Sequence, residues 1–183
     1  KYTASRTPRF ATVTRFTVLG PGRIAVDKLP LTAERQGGDD PGPELPIVHR
    51  RRRADYLRGR VFAHEFARAV AQGFDLPRLA TTLTPWISLL LAEAQRIRPV
   101  ATNTPWSQLT VPGDFVDCVP FNLLLQADGT LQVIDDEFAI EGEIPLPWVV
   151  LRGIVHTANR TFGQRALAGI TNRELVRQLL QHL

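Results

Sequence analysis

Asp117, Asn122, Asp135 and Glu137 are the residues of this chain whose types and spacing could do chemistry together. Asp117 stands five residues before Asn122, which opens the apolar run Leu123-Leu124-Leu125. Ala127-Asp128-Gly129-Thr130 then offers a tight turn, and Leu131-Gln132-Val133-Ile134 leads back to the acidic cluster Asp135-Asp136-Glu137. An Asp-Gly turn between two apolar runs predicts an antiparallel hairpin. Asn122 begins one strand and Asp135 ends its partner, so the hairpin brings both side chains to one end, where they can share a hard cation. Three acids crowded there repel one another unless a cation or a basic group compensates them. Magnesium takes hard oxygen ligands and keeps positions for water and substrate phosphate, so one carboxylate and one amide carbonyl suffice from the protein. Phosphoryl transfer also needs an Asp that orients or deprotonates the incoming hydroxyl, and Asp117 stands where such a group is required. The plainer reading of the same stretch is a turn at Asp128 and Gly129 and a polar strand end.

The run Asp117-Cys118-Val119-Pro120-Phe121-Asn122, followed by Ile134-Asp135-Asp136-Glu137-Phe138-Ala139, resembles the catalytic loop and metal-binding hairpin of the protein-kinase-like superfamily. The style is closest to the aminoglycoside phosphotransferase and choline kinase branch. The pattern Asp-x-x-x-x-Asn falls on Asp117 to Asn122, and the metal-binding Asp, thirteen residues after the Asn, falls on Asp135. The resemblance implies Asp117 as catalytic base, Asn122 and Asp135 as magnesium ligands, Glu137 as a secondary acidic ligand, and Mg2+ and ATP as cofactors. A similar abbreviated motif accompanies bacterial sugar-modifying methyltransferases and glycosyltransferases. That association implies a sugar or glycan hydroxyl as acceptor and a partner protein or fused domain.

Upstream, Ile24-Ala25-Val26-Asp27-Lys28 resembles the strand whose lysine grips the nucleotide phosphates, and Glu65 is the candidate for that lysine's helical partner. Tyr56-Leu57-Arg58-Gly59-Arg60 resembles the hinge whose backbone reads the adenine edge. A solvated lysine at a strand end and a simple helix start are the plainer alternatives. The chain departs from the pattern in four ways. Phe115 stands where the superfamily often has His, Gly20-Pro21-Gly22 is too short for a phosphate-cradling glycine loop, the segment between Lys28 and Tyr56 is short, and the helical glutamate is not marked by spacing. A degenerate pseudokinase that serves as a binding or regulatory module is therefore the alternative to an active phosphotransferase.

The elements that must position these groups are legible in periodicity. Alternation over Phe10–Val18 and Arg23–Lys28 around Leu19-Gly20-Pro21-Gly22 predicts a hairpin, and a short strand is expected at Leu45–His49. Residues 31–46, rich in Gly and Pro, read as a loop or lobe linker. Helices are expected at Arg60–Gln72 and Pro77–Ile97, with Pro85 starting a new helix at Thr84, since threonine caps and proline suits a first turn. Strands are expected at Leu109–Val111, Leu123–Gln126 and Leu131–Ile134. Helices follow at Trp148–Thr157 and, behind the capping box Thr171/Glu174, at Asn172–Leu183. The expected fold is α+β, with a reduced β-rich N-terminal lobe over 1–55 and a mainly helical C-terminal lobe over 56–183 that carries the catalytic hairpin.

Composition narrows the partners. A net charge of +4 favours anionic ligands such as nucleotides. The run His49-Arg50-Arg51-Arg52-Arg53 reads as a solvated loop or element edge. Without interleaved aromatics or a helix-turn-helix, zinc-finger or RNA-binding signature, nucleic acid is not the expected partner. Scattered His64, His156 and His182 make no zinc site, and Trp86, Trp106 and Trp148 read as core or rim aromatics rather than sugar platforms. Pro145-Leu146-Pro147-Trp148 replaces a long activation segment, which favours a small acceptor. The single Cys118 and the lack of a long apolar run fit a reducing, cytoplasmic setting without a membrane span. The absence of any methionine leads us to expect a piece of a longer chain.

Overall fold

The computed structural model describes residues 2–4, 10–31, 47–73, 75–97, 104–162 and 169–182. Strands β1 (Tyr2–Ala4), β2 (Thr12–Gly20), β3 (Arg23–Pro30), β4 (Ile47–His49), β5 (Arg52–Asp55) and β6 (Arg60–Val61) precede helices α1 (Ala63–Ala71) and α2 (Leu76–Ile97). Strands β7 (Thr110–Pro112), β8 (Leu123–Leu125), β9 (Leu131–Val133), β10 (Phe138–Ile140) and β11 (Glu143–Pro145) then lead to helices α3 (Leu146–Phe162) and α4 (Asn172–His182). The fold is mixed α and β with small antiparallel sheets.

The expected N-terminal hairpin is β2–β3, and it sits in a four-stranded sheet of order β1-β2-β3-β5. The arginine run is therefore an element edge, because Arg52 and Arg53 belong to β5 and pair with Lys28 and Asp27 of β3. Strand β4 turns away from this sheet and pairs with β10 immediately after the acidic cluster, Phe138 opposite His49. The backbone N–H of Arg50 donates to the carbonyl of Glu137 at 2.7 Å. The chain before β5 is thus stitched directly to the end of the hairpin.

That hairpin is β8–β9, in register Leu123 opposite Val133, and β6 extends it by pairing Val61 with Leu124. The turn closes as its chemistry predicts: Asp128 accepts from the N–H and hydroxyl of Thr130 at 2.9 and 2.7 Å. Because Arg60 and Val61 are drawn into this sheet, α1 starts three residues later than its periodicity suggested, at Ala63.

The core lies between the helices. Leu79, Leu83, Trp86, Leu90 and Ala94 of α2 are buried in one stripe against Leu146, Val150 and Ile154 of α3 and Leu175 and Leu179 of α4. The expected break at Pro85 does not occur: α2 is continuous from Leu76 to Ile97. Proline removes one helical hydrogen bond, yet Pro85 lies on the exposed side, where water can satisfy the freed carbonyl, and flanking Leu83 and Trp86 anchor both halves. At the last helix Thr171 Oγ1 accepts from the N–H of Glu174 at 3.2 Å, as the capping box requires. Residues 32–46, which make up most of the stretch read from sequence as a loop or lobe linker, and residues 98–103 lie outside the described residues. Among the described residues, no helix is long and apolar enough to cross a membrane.

Candidate functional site

A lysine and two acids more than a hundred residues further along the chain meet at the open end of the hairpin. The ammonium of Lys28, at the end of β3, contacts the carboxylate of Asp135 and lies 2.8 Å from Glu137 Oε2. Strand alternation settles which way Lys28 faces, and the β3–β5 ladder places Arg52 beside it. The stitch between β4 and β10 carries the acids up to it. Glu137 is only 5% exposed, whereas Asp135 is half exposed. Burial pushes the Glu137 carboxyl above its ordinary value, with the charge of Asp135 adding to the effect and Lys28 opposing it. Burial alone would lower Lys28, but its hydrogen bonds and charge pairing with Asp135 and Glu137 outweigh that and hold it above its ordinary value.

Asp135 has φ +63°, and it is the non-glycine residue in the left-handed region among the described residues. Such a backbone costs of order 1–2 kcal/mol for an L-residue, less for Asp than for most. Strain of this kind gathers at functional sites. Asn122 sits across the strand from it: its carbonyl accepts from the N–H of Ile134 at 2.8 Å. The Asn122 amide donates through Nδ2 to the carbonyl of Asp117 at 3.0 Å, which leaves Oδ1 as the end suited to a cation.

The loop from Asp117 to Asn122 is braced rather than free. It runs from the end of one 3-10 turn, Gly113–Asp117, through a second, Pro120–Asn122. Between them Trp86 Nε1 donates to the carbonyl of Cys118 at 2.9 Å. Burial pushes the Cys118 thiol up to about 12, so it serves packing. Asp117 pairs with Arg152 of α3 at 2.7 Å, and the other arm of that arginine donates to the carbonyl of Val116 at 2.9 Å.

The arginine run also acts on the hairpin. Arg50 pairs with Asp114 at 2.6 Å, Arg52 with Asp136 at 3.3 Å, and Arg53 with Asp27 at 3.8 Å. The acidic cluster is therefore compensated by Lys28 and Arg52 together.

Two expected cofactor contacts land differently. Glu65 pairs with Arg60 at 3.4 Å and Arg68 at 3.2 Å, while Lys28 takes its acidic partners from the hairpin. Tyr56 continues β5, its N–H donating to the carbonyl of Ile24 at 2.7 Å, so that edge of its backbone is used by the sheet.

Cross-strand register exposes a feature that sequence reasoning missed. Phe16 pairs with Val26 and Val18 with Ile24, while Val26 pairs with Ala54; these residues share the face that carries Lys28. The Tyr56 ring joins them, 6.4 Å from Phe16. Phe16, Val18 and Tyr56 are each at least half exposed, so the lysine lies at one end of an open apolar sheet face. The signal was present: Ile24, Val26 and Lys28 have the same parity. Arg152 carried no local signal, since only the packing of α3 against the loop brings it to Asp117.

The donors around the hairpin end suit a hard divalent ion in kind: the Asn122 amide oxygen and the carboxylates of Asp135 and Glu137. The Lys28 ammonium compensates both acids. Among the described residues no group of three or more His, Cys, Asp and Glu side chains is gathered as a metal cage. No protein-family model, curated protein or solved structure matches this chain.

Proposed function

We propose that the chain is a two-lobed, kinase-like phosphotransferase that binds magnesium-ATP and phosphorylates a hydroxyl of a small molecule or glycan. The observation that carries the reading is the meeting of Lys28 with Asp135 and Glu137. In this reading the β1-β2-β3-β5 sheet is the reduced N-terminal lobe, the helices and β8–β9 are the other, and a nucleotide would bind between them. The open face of Phe16, Val18, Val26 and Tyr56 covers the base, and Lys28 steadies the phosphates. Asn122, Asp135 and Glu137 would hold a magnesium ion, which when bound would neutralise charge on the phosphates. In such a transfer the acceptor oxygen would bond to the γ-phosphorus as the bond from that phosphorus to the bridging oxygen breaks, and Asp117 would take the hydroxyl proton. Arg152 orients Asp117 by holding one of its carboxylate oxygens. A cytoplasmic setting suits these ligands.

A second reading is favoured by the same contact. With Lys28 compensating both acids and a two-glycine turn in place of a phosphate cradle, the chain would be a silent module that positions a partner protein or fused domain. Thermal denaturation with and without magnesium-ATP separates the two. A nucleotide at a hundred times its dissociation constant stabilises by about 2.7 kcal/mol. An unchanged Tm at millimolar magnesium-ATP would remove the first reading.

A further inference from the structure

We propose that Arg52 is a positioning residue: by its grip on the backbone carbonyl of Asp136, rather than by its charge, it holds the left-handed turn at Asp135 and so sets Asp135 and Glu137 against Lys28. What the two acids then bind rests on the phosphotransferase reading; the positioning does not.

The turn is anchored on both sides of Asp135. Before it, the N–H of Ile134 donates to the carbonyl of Asn122 at 2.8 Å, a tie within the hairpin. After it, three successive residues are tied to the chain that runs from β4 into β5. The Asp136 carbonyl accepts from Nε of Arg52 at 3.1 Å, and the Glu137 carbonyl accepts from the N–H of Arg50 at 2.7 Å. Phe138 pairs with His49 across the β4–β10 ladder and stacks on its ring at 4.6 Å. Asp135, at φ +63°, is the residue where the chain reverses between the two sets of anchors. Of these backbone hydrogen bonds, the Arg52 tie is the one made by a side chain, and it falls on the residue next to Asp135.

Charge alone does not account for an arginine at this place. The β3–β5 ladder sets Arg52 directly opposite Lys28 on one face, and like charges so placed repel. The carboxylate of Asp136 is about half exposed and lies 3.3 Å from Nε, and exposed ion pairs contribute little. The bond to the carbonyl is of another kind, because a planar guanidinium N–H reaches its acceptor in a fixed direction. A strained φ persists only where its surroundings over-determine it. Arg52 supplies that constraint from the sheet that also carries Lys28, so one rung of the ladder fixes both the cation and the turn that presents the acids to it.

The test compares the unmodified chain with Arg52→Met, Arg52→Lys and Asp136→Asn. At positive φ the N–H and Hα of a residue lie close together, so the nuclear Overhauser effect between them at Asp135 reads the turn directly. The second readout is the Lys28→Met/Glu137→Gln double-mutant cycle, measured by urea denaturation in each background; a merely structural loss would lower stability and leave that coupling alone. Arg52→Met should lose most of the Asp135 signal and of the coupling. Arg52→Lys, which keeps the charge and puts a methylene where Nε stands, should fall between it and the unmodified chain. Asp136→Asn should keep both. Should Arg52→Met fail to fold, the other two variants still decide. The proposal is overturned if Arg52→Lys matches the unmodified chain, since charge would then suffice, or if Asp136→Asn loses as much as the arginine variants. The magnesium-ATP shift in Tm, measured on the unmodified chain, keeps the two claims apart. An Asp135 signal that depends on Arg52, with no nucleotide shift, retains the positioning role and sinks the phosphotransferase. A nucleotide shift with an Asp135 signal indifferent to Arg52 does the opposite.

Discussion

Lys28 and Glu137 are separated by 109 residues of chain and by 2.8 Å in the fold. Removing one partner of a fully buried ion pair costs about 3–5 kcal/mol, because the other charge is stranded. Here Lys28 retains some solvent and Asp135 is half exposed, so the cost is smaller. Lys28→Met should destabilise by about 1–3 kcal/mol, and adding Glu137→Gln should recover part of the loss, because the acid left without its cation is then the half-exposed Asp135 rather than the buried Glu137. Urea denaturation of the four proteins of this cycle checks it; strictly additive losses would mean the contact contributes nothing.

The same pair predicts the pH dependence. Burial lifts Glu137 above its ordinary 4.5, so the folded chain holds that proton more tightly than the unfolded chain. Stability therefore falls as pH rises from 4.5 through the raised value, and Glu137→Gln should gain on the unmodified chain across that window. Lys28 is held above 10.5 despite its burial, by Asp135 and Glu137. Its contribution is whole below 10.5 and is lost as pH rises through the raised value, a loss Lys28→Met should not show. Parallel stability curves for the three proteins would contradict both assignments.

Local chemistry made the hairpin and the helices readable, and non-local packing hid the rest. The Asp128-Gly129 turn needs only its own residues, and the α2 stripe needs only a period of 3.6. Pro85 misled because local propensity favoured a break, whereas the burial of Leu83, Trp86 and Leu90 holds the helix together. Arg52 and Arg53 read as a solvated loop or an element edge; they lie on an edge strand, and that it presents them to acids on the hairpin and on β3 had no local signal. The lysine and the acids were each legible; that Lys28 chooses the hairpin acids over Glu65 depends on the β4–β10 pairing, which no local pattern encodes.

Asp135 should separate backbone from side-chain effects. At φ +63° a glycine is unstrained, an asparagine is tolerated, and an alanine costs about 1–2 kcal/mol. All three replacements lose the carboxylate, so stability should rank glycine and asparagine above alanine while none retains the magnesium-ATP shift in Tm. An Asp135→Ala protein as stable as Asp135→Gly would show that the left-handed backbone is not imposed there.

Asp117→Asn should leave nucleotide binding in place and remove the proton acceptor. General-base catalysis is typically worth about 10²–10⁴-fold, and a loss of that size is expected in slow, magnesium-dependent ATP hydrolysis with water as acceptor. Arg152→Lys keeps the charge and gives up the two-armed grip on Asp117 and Val116, so a smaller loss is expected. Unchanged hydrolysis in Asp117→Asn would exclude this residue as the base.

Gly113 and Gly153 brace the loop that carries Asp117, and they should respond differently to an added methyl group. At Gly153, on α3, a Cβ would lie 2.3 and 2.4 Å from two ring carbons of Trp86, whose indole holds the Cys118 carbonyl. At Gly113 it would lie 1.8 Å from the carbonyl oxygen of Ile140. The Trp86 side chain can move away from the added methyl group, by roughly an ångström, whereas the Ile140 backbone is fixed by the β10–β4 ladder. Gly153→Ala should therefore cost about 1–3 kcal/mol, the usual range for overpacking, and weaken the Trp86–Cys118 bond, seen as a shift of the Trp86 indole N–H signal. Gly113→Ala should cost more and loosen β4 and β10, read as lost hydrogen-exchange protection at Ile47–His49 and Phe138–Ile140. Equal stability of the two variants would show that the loop and the hairpin stitch yield together.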